Sequence, residues 1–562
     1  MEKYARGMRL PAGRDKEPTM GRIFTYTRVP EETLYRPALA GSVHLAWSLD
    51  GERYEPLNQN YGMLFATGAV TEQNTIAPKA LRDPRILRRA DGAYLIQARQ
   101  TDEAGEAEPL YPQWITADFR TFRYLGAAET PQEMPPAETG TFGIPGIVPG
   151  NSAQVDDALG LAALTAWSPL VNTAVRVPEL VPVRCAADAE QIRATAVYSD
   201  GSACEKAVRW NLAEVDFSRA GDVRVTGTAQ QLEPGFPIFR GHGDPVLFPW
   251  RGKWHYLFTN DTTDDRGFIV RRADTVAGLF AEHAEQSLIL DVSERFVQTF
   301  WAPEFHEIGN ELYILFAVSG AKWGPQCHLM RLKPGGDILC PEDWTEPERV
   351  RRRDGAFLAE EAITLDMTYL SAGGRSYVVW SHREHIGTPL DSGSMLYIAA
   401  IDPRNPARLT SEPVLLSRPL YGWENIDGTI NNEGPHAFVR GGTVYLAYSG
   451  GSANRYSYAV GLFTADAYAD LLKVENWSKR PSPVLRYDSV PGRFGPGHNS
   501  FFEDGGQLYI AYHAEYNTTD SPRCAALHRV AFDRTGAPRF DLPPERDLNP
   551  ALRTVSTTLR VL

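Results

Sequence analysis

Residues 433–450, EGPHAFVRGGTVYLAYSG, hold the pattern that decides the fold. A β-rich run opens on a polar residue, breaks at a Gly-containing turn, and resumes as a second β-rich run ending in aromatic and small polar side chains. Two such runs around a Gly turn read as a β-hairpin. The unit recurs as DPVLFPWRGKWHYLFTND at 244–261, WAPEFHEIGNELYILFAV at 301–318, DMTYLSAGGRSYVVWSH at 366–382 and HNSFFEDGGQLYIAYHA at 498–514. The marked glycines, Gly252, Gly309, Gly374, Gly441 and Gly506, stand 57, 65, 67 and 65 residues apart, room for a four-stranded sheet with its connections. Five β-repeats at that period predict five blades of a β-propeller.

Eight residues before each glycine stand Asp244, Trp301, Asp366, Glu433 and His498. In a propeller the innermost strand of each blade faces the central channel, so one register position per blade should converge near the axis. Three carboxylates brought together repel one another unless one is protonated or bound to a cation. Such an arrangement is expected where one carboxylate acts as a base while another stays protonated as an acid. Glycoside hydrolysis needs such a pair, and an inverting enzyme sets them roughly 6.5–9.5 Å apart to admit a water.

The segments HGDPVLF with YLFTND, FWAPEFHEIGNELYILFA, ITLDMTYL, NNEGPHAF with YLAYSGG, and GPGHNSFFEDGGQLYIAYH resemble, in order, the signature segments of glycoside hydrolase family 43. The resemblance covers about 236–530 and implies a five-bladed propeller hydrolysing arabinose- or xylose-containing glycans with inversion. It implies Asp244 as general base, Asp366 as the residue tuning the acid, Glu433 as general acid, and His498 as an axial residue beside a water or a calcium ion. Trp301 is expected as a wall of the sugar pocket with Glu304 as its buttress. Phe300, Trp323, Gln326, Arg383 and Arg493 are further candidates for contacts to sugar hydroxyls or to the acid pair. No cofactor is expected for the chemistry beyond a structural calcium.

The chain before the repeats divides in three. Residues 1–20 read as a flexible leader. From 21 to 175, short β-type runs such as SVHLAWSLDG, PRILRRADGAYLIQAR and LGLAALTAW alternate with turn residues, predicting a β-rich accessory domain. Within it Asp83, in LRDPRILRRADGAYLI, imitates the repeat without an EGP-like or LDMT-like partner, so it reads as structural. Residues 176–232 suit a small β-sandwich and resemble, through VYSDGS, VRW and RAGDVRVTGT, an inserted bacterial Ig-like module. Residues 236–562 are assigned whole to the propeller, whose best helix candidates are DTVAGLFAEHA and TADAYADLLK. The fold class expected is therefore all-β.

Composition narrows the function. A net charge of −13 argues against nucleic acid and an anionic membrane surface, both of which demand clustered Lys and Arg. No stretch approaches about 18 consecutive apolar residues. Five cysteines form no CxxC pair or metal spacing, which suits a reducing compartment. With no apolar run near residue 1, a cytoplasmic enzyme is expected, one meeting short imported oligosaccharides.

The expectation is thus an inverting exo-acting glycoside hydrolase releasing terminal α-L-arabinofuranose. A β-D-xylosidase is the alternative within the family, and an endo-arabinanase fits less well. A non-catalytic sugar-binding propeller is the alternative of another class, opposed by the three converging acids. A metal-dependent hydrolase is disfavoured by the lack of HxH or HExxH spacing. Oligomeric state stays open.

Overall fold

The computed structural model describes residues 20–519 and 521–562. The leader expected over 1–20 lies, apart from Met20, outside them; Met20 already begins a strand. Strands dominate, and no helix among the described residues is long and apolar enough to cross a membrane.

Five antiparallel sheets follow one another along the chain as blades. Their innermost strands are His242–Trp250, Gln298–Ile308, Ile363–Ala372, Asn432–Arg440 and Phe494–Asp504. Each neighbours the next, and the fifth neighbours the first, so the ring is closed. Closure is made by the chain just before blade 1. Ile238 donates to Ala525 O at 3.0 Å, Ala525 to Phe239 O at 2.9 Å, and Gly241 to Arg523 O at 2.8 Å, adding an edge to the strand Cys524–Arg529 of blade 5. Blade faces pack through large apolar side chains, such as Phe268, Phe300, Phe305 and Phe316 between blades 1 and 2. Each fully buried Phe contributes about 1.5–3 kcal/mol relative to exposure.

A single backbone device recurs on every innermost strand. Two residues bulge out opposite one on the neighbouring strand, and the first of the two has a left-handed backbone. These first residues are Asp244 (φ 51°), Ala302 (φ 44°), Asp366 (φ 54°), Gly434 (φ 54°) and His498 (φ 46°). Asp and His tolerate this region better than most side chains, and Gly adopts it freely. A bulge bends the strand and re-aims its side chains.

The device corrects the expected register. Asp244, Asp366 and His498 are equivalent, whereas Trp301 and Glu433 stand one residue earlier, before the bulge. The eight-residue count slipped because the hairpin turns hold two residues. The marked glycine is the second of them in Arg251-Gly252, Gly373-Gly374 and Gly505-Gly506, but the first in Gly309-Asn310 and Gly441-Gly442.

The N-terminal region forms two four-stranded antiparallel sheets. The strand Lys79–Arg88 carries the same bulge, with Asp83 at φ 50°, but Asp83 is exposed and, among the described residues, pairs only with Arg82. LGLAALTAW, expected as a strand, lies in the helix Asp157–Trp167. Its Ala and Leu favour a helix, and Asp156 caps it by accepting from the amides of Ala158 and Leu159. The expected helix in DTVAGLFAEHA is one turn, Val276–Leu279, and TADAYADLLK is the end of a strand followed by turns.

The sandwich has a three-stranded sheet and a four-stranded sheet sharing one core. Its central strand is the chain's last, Thr554–Val561, which pairs antiparallel with Gly221–Ala229 and parallel with Leu180–Val183. The assignment of 236–562 wholly to the propeller is corrected accordingly: TVSTTLRV alternates apolar and polar residues, and its apolar side chains bury in the sandwich core.

Candidate active site

The bulges bring Asp244, Asp366 and His498 together in the channel, and Glu433 reaches the same cluster. Asp366 feels the charges of Glu433, Asp244 and His498, and Glu433 feels that of Asp244. One methylene longer than Asp, Glu433 compensates for standing one residue nearer the start of its strand.

Asp244 is buried among donors. Thr259 donates to Oδ2 at 2.6 Å, Arg523 Nη1 lies 3.0 Å from Oδ1 and 3.3 Å from Oδ2, and the Nδ1 atoms of His498 and His513 each lie 3.2 Å from Oδ1. Burial opposes ionisation here, but Arg523 and the two imidazoles overcome it and hold the carboxyl well below the usual range. Arg523 also grips Asp261, through Nε at 3.0 Å.

Asp366 and Glu433 are pushed the other way. Burial, reinforced by neighbouring negative charge, raises each to about 7. Asp366 Oδ2 accepts from Ser381 Oγ and from the amide of Gly434, both at 3.1 Å. Glu433 Oε1 accepts from Tyr458 OH at 3.0 Å, which together with the Arg383 charge moderates its rise. One carboxylate is therefore held ionised, and two carboxyl groups beside it share protons near neutrality.

The other expected residues divide. Trp301 is half-buried, its indole donating to Asp265 Oδ2 at 2.8 Å. Arg383 grips Asp391 with two bonds of 2.8 Å and Asn431 Oδ1 at 2.9 Å, close to Glu433. Trp323 is half-buried against Phe296 and His328 on the third strand of blade 2. Phe300 is fully buried beside Phe268 and has no face for a sugar. Gln326 spends both ends on Ala362 O and Thr364, linking blades 2 and 3. Arg493 is buried against Glu545, near the C-terminal segment. Glu304 does not buttress Trp301. It lies farther along the channel, 2.6 Å from His306 Nε2 and 4.0 Å from His436 Nε2.

The sequence reading missed Thr259, Ser381, Ser449, His513, Tyr458 and Arg523. The first four were legible: each stands seven residues after the second residue of its hairpin turn, opposite the residue preceding the bulge. Thr259 and Ser381 donate to the two Asp side chains, and Ser449 Oγ accepts from the His498 amide at 2.7 Å. Arg523 and Tyr458 lie outside the repeated pattern and left no such mark.

Around His498 the protein itself offers a calcium ion few oxygen donors. Its Nε2 is buried without a partner among the described residues, and calcium takes six to eight oxygen ligands, waters among them. The nearest carboxylate, Asp244, is already held by Arg523 and Thr259. Farther along the channel, Glu304, His306 and His436 offer one donor atom each, all within 4.8 Å, a set richer in nitrogen than calcium favours.

Comparison with known proteins places these features. Residues 235–538 match the model of glycosyl hydrolases family 43, and 193–232 match the bacterial Ig-like domain (group 4). An extracellular exo-α-(1→5)-L-arabinofuranosidase of Streptomyces chartreusis is 33% identical over 282 residues, 50% of this chain and 81% of that protein. A namesake from Streptomyces avermitilis is 29% identical over 325 residues, 56% of this chain but 64% of its own length, under two thirds. A solved α-L-arabinofuranosidase from Lactobacillus brevis aligns over 54% of this chain and 95% of its own, with 28% identity and a TM-score of 0.46. The two Streptomyces relatives are named extracellular, which overturns the cytoplasmic expectation. That expectation leaned on residues 1–20 and on sparse cysteines, and neither fixes where a β-propeller works.

Proposed function

The chain belongs to glycosyl hydrolases family 43, and from that premise we propose that it is an inverting, exo-acting α-L-arabinofuranosidase. The observation that carries the reading is the divergence of its carboxyl groups: Asp244 held ionised by Arg523, Glu433 raised to about 7. Such divergence within one site supports reading Asp244 as the base and Glu433 as the acid.

In this reading Asp244 takes a proton from a water as its oxygen attacks the anomeric carbon. The bond from that carbon to the leaving oxygen breaks, and Glu433 gives its proton to that oxygen. Proton exchange with solvent resets both groups. A carboxylate held as firmly ionised as Asp244 is a weak base. That suits an oxocarbenium-like transition state, in which the water need be only partly deprotonated. Asp366, tied to the Gly434 amide, shares protons with Glu433 near neutrality, and when it is the ionised partner its charge favours protonated Glu433.

Two features support exo action on arabinosides. The Streptomyces relatives carry that activity in their names. In addition, a hairpin of the N-terminal region, Ala69–Val70 with Ile76–Ala77, reaches blade 3 beside the acid. Asn74 donates to Glu384 at 3.1 Å and accepts from Arg418 at 2.6 Å, and Glu384 follows Arg383 in the chain. We read this hairpin as a wall on one side of the cleft. Parallel assays on an aryl α-L-arabinofuranoside and an aryl β-D-xyloside test the substrate: preference for the first supports the proposal, preference for the second makes the enzyme a β-xylosidase, and cleavage of neither sinks both.

A further inference from the structure

Away from the channel, a cavity of about 370 Å³ opens where three parts of the chain meet. The N-terminal region contributes Arg120 and Trp167, the connection between blades 4 and 5 contributes Arg480 and Arg486, and the hairpin after blade 5 contributes Arg539 and Asp541. The volume falls within the range of small-molecule sites.

Three of its four guanidinium groups have a carboxylate. Arg120 pairs with Asp533 at 2.5 Å, Arg486 with Asp488 at 2.6 Å, and Arg539 with Asp541 at 3.0 Å. The remaining lining carboxylate, Asp118, is occupied by its own turn, accepting from the amides of Arg120 and Thr121 and from the Thr121 hydroxyl. Arg480 has none. Its guanidinium lies 4.8 Å from the Trp167 ring centroid, and among the described residues it makes no side-chain hydrogen bond. Burial and the charges of Arg539 and Arg486 push its pKa down to about 10. A guanidinium placed in a polar cavity among other cations, with its donors unspent, is complementary to a planar or tetrahedral oxyanion.

We propose that this cavity binds a small anion bearing a carboxylate or phosphate group, held by Arg480 at the junction of the N-terminal region and the propeller. The ligand would cross-link the three segments and stabilise their docking by mass action. Two sources share the chemistry, an acidic sugar of a glycan and free phosphate. The site is separate from the glycosidase reading and stands or falls without it.

Thermal unfolding of the full chain, titrated with inorganic phosphate or with galacturonate against sodium chloride of equal ionic strength, tests the site. At least one oxyanion should raise Tm saturably beyond chloride, and the one that does identifies the source. Arg480→Met, which keeps an apolar cover on Trp167, should weaken calorimetric binding of that anion at least tenfold. The variant should also melt no lower than wild type in anion-free buffer, since it removes an unpaired charge. The proposal is overturned if neither oxyanion acts beyond chloride, or if the variant keeps the full response. A lower Tm for the variant in anion-free buffer would equally overturn it, by reducing Arg480 to packing on Trp167.

Discussion

Arg523 Nη1 lies 3.0 Å from Oδ1 and 3.3 Å from Oδ2 of Asp244, so the carboxylate proposed as the base is neutralised by a guanidinium from blade 5. Asp244 stays ionised far into acid because of it. Arg523→Met should let the Asp244 carboxyl rise, so that the base is protonated at higher pH and the acid limb of the kcat/KM–pH profile moves up by about 1–3 units. An unmoved acid limb would show that the limb belongs to another group.

The alkaline limb should report the Glu433–Asp366 pair, with kcat/KM falling above about pH 7 as the acid loses its proton. Two substitutions should move it in opposite directions. Tyr458→Phe removes a hydrogen bond that favours ionised Glu433 and should raise the limb. Asp366→Asn removes negative charge that opposes that ionisation and should lower it. Shifts in the same direction would contradict the assignment.

Glu433→Gln should slow cleavage of an aryl arabinofuranoside with a poor leaving group about 10²–10⁴-fold, while leaving sugar binding largely intact. It should also alter stability. Glu433 has a folded pKa raised above its unfolded value, so it contributes stability that is present below about pH 4.5 and lost as pH climbs through about 7. The variant should therefore be more stable than wild type at pH 8, by roughly 1–3 kcal/mol, with the gap closing toward pH 4. Equal stability at both pH values would contradict the raised pKa.

Asp547 anchors the sandwich to blade 5. It pairs with buried Lys206 of the sandwich and, at 2.8 Å, with Arg529 of blade 5, and it accepts from Tyr198 at 2.6 Å. Asp547→Asn would leave two buried cations uncompensated and should destabilise the protein by about 3–5 kcal/mol. Chemical unfolding checks this, and a loss below about 1 kcal/mol would mean that water reaches the cluster.

Replacing the hairpin 69–77 by a short turn should raise KM for arabino-oligosaccharides while leaving a small aryl arabinofuranoside little affected. The products of a longer arabinan should also broaden beyond arabinose. Unchanged oligosaccharide kinetics would remove the hairpin from the cleft wall.

Five blades were legible because each hairpin turn lies at a nearly constant distance from its bulge, so counting from glycines found Asp244, Asp366 and His498 directly. Glu433 and Trp301 came from a count that landed one residue early, and Glu433 still reaches the cluster. The count could not distinguish the first from the second residue of a two-residue turn. Arg523 was invisible because it reaches Asp244 from a connection that no repeat marks. Phe300 was misread because its neighbour Trp301 is half-exposed while Phe300 faces the blade core, an alternation that only the register fixes. The last strand was legible as a strand, but its sheet was set by partners at Leu180–Val183 and Gly221–Ala229, which no local pattern names.

The central claim is that Asp244 directs a water onto the anomeric carbon while Glu433 protonates the leaving oxygen from the opposite face. Proton NMR of the sugar first released from an α-L-arabinofuranoside, recorded before mutarotation, tests it most directly. Inversion would release β-L-arabinofuranose as the initial product. Initial release of the α anomer would mean retention, and would contradict it.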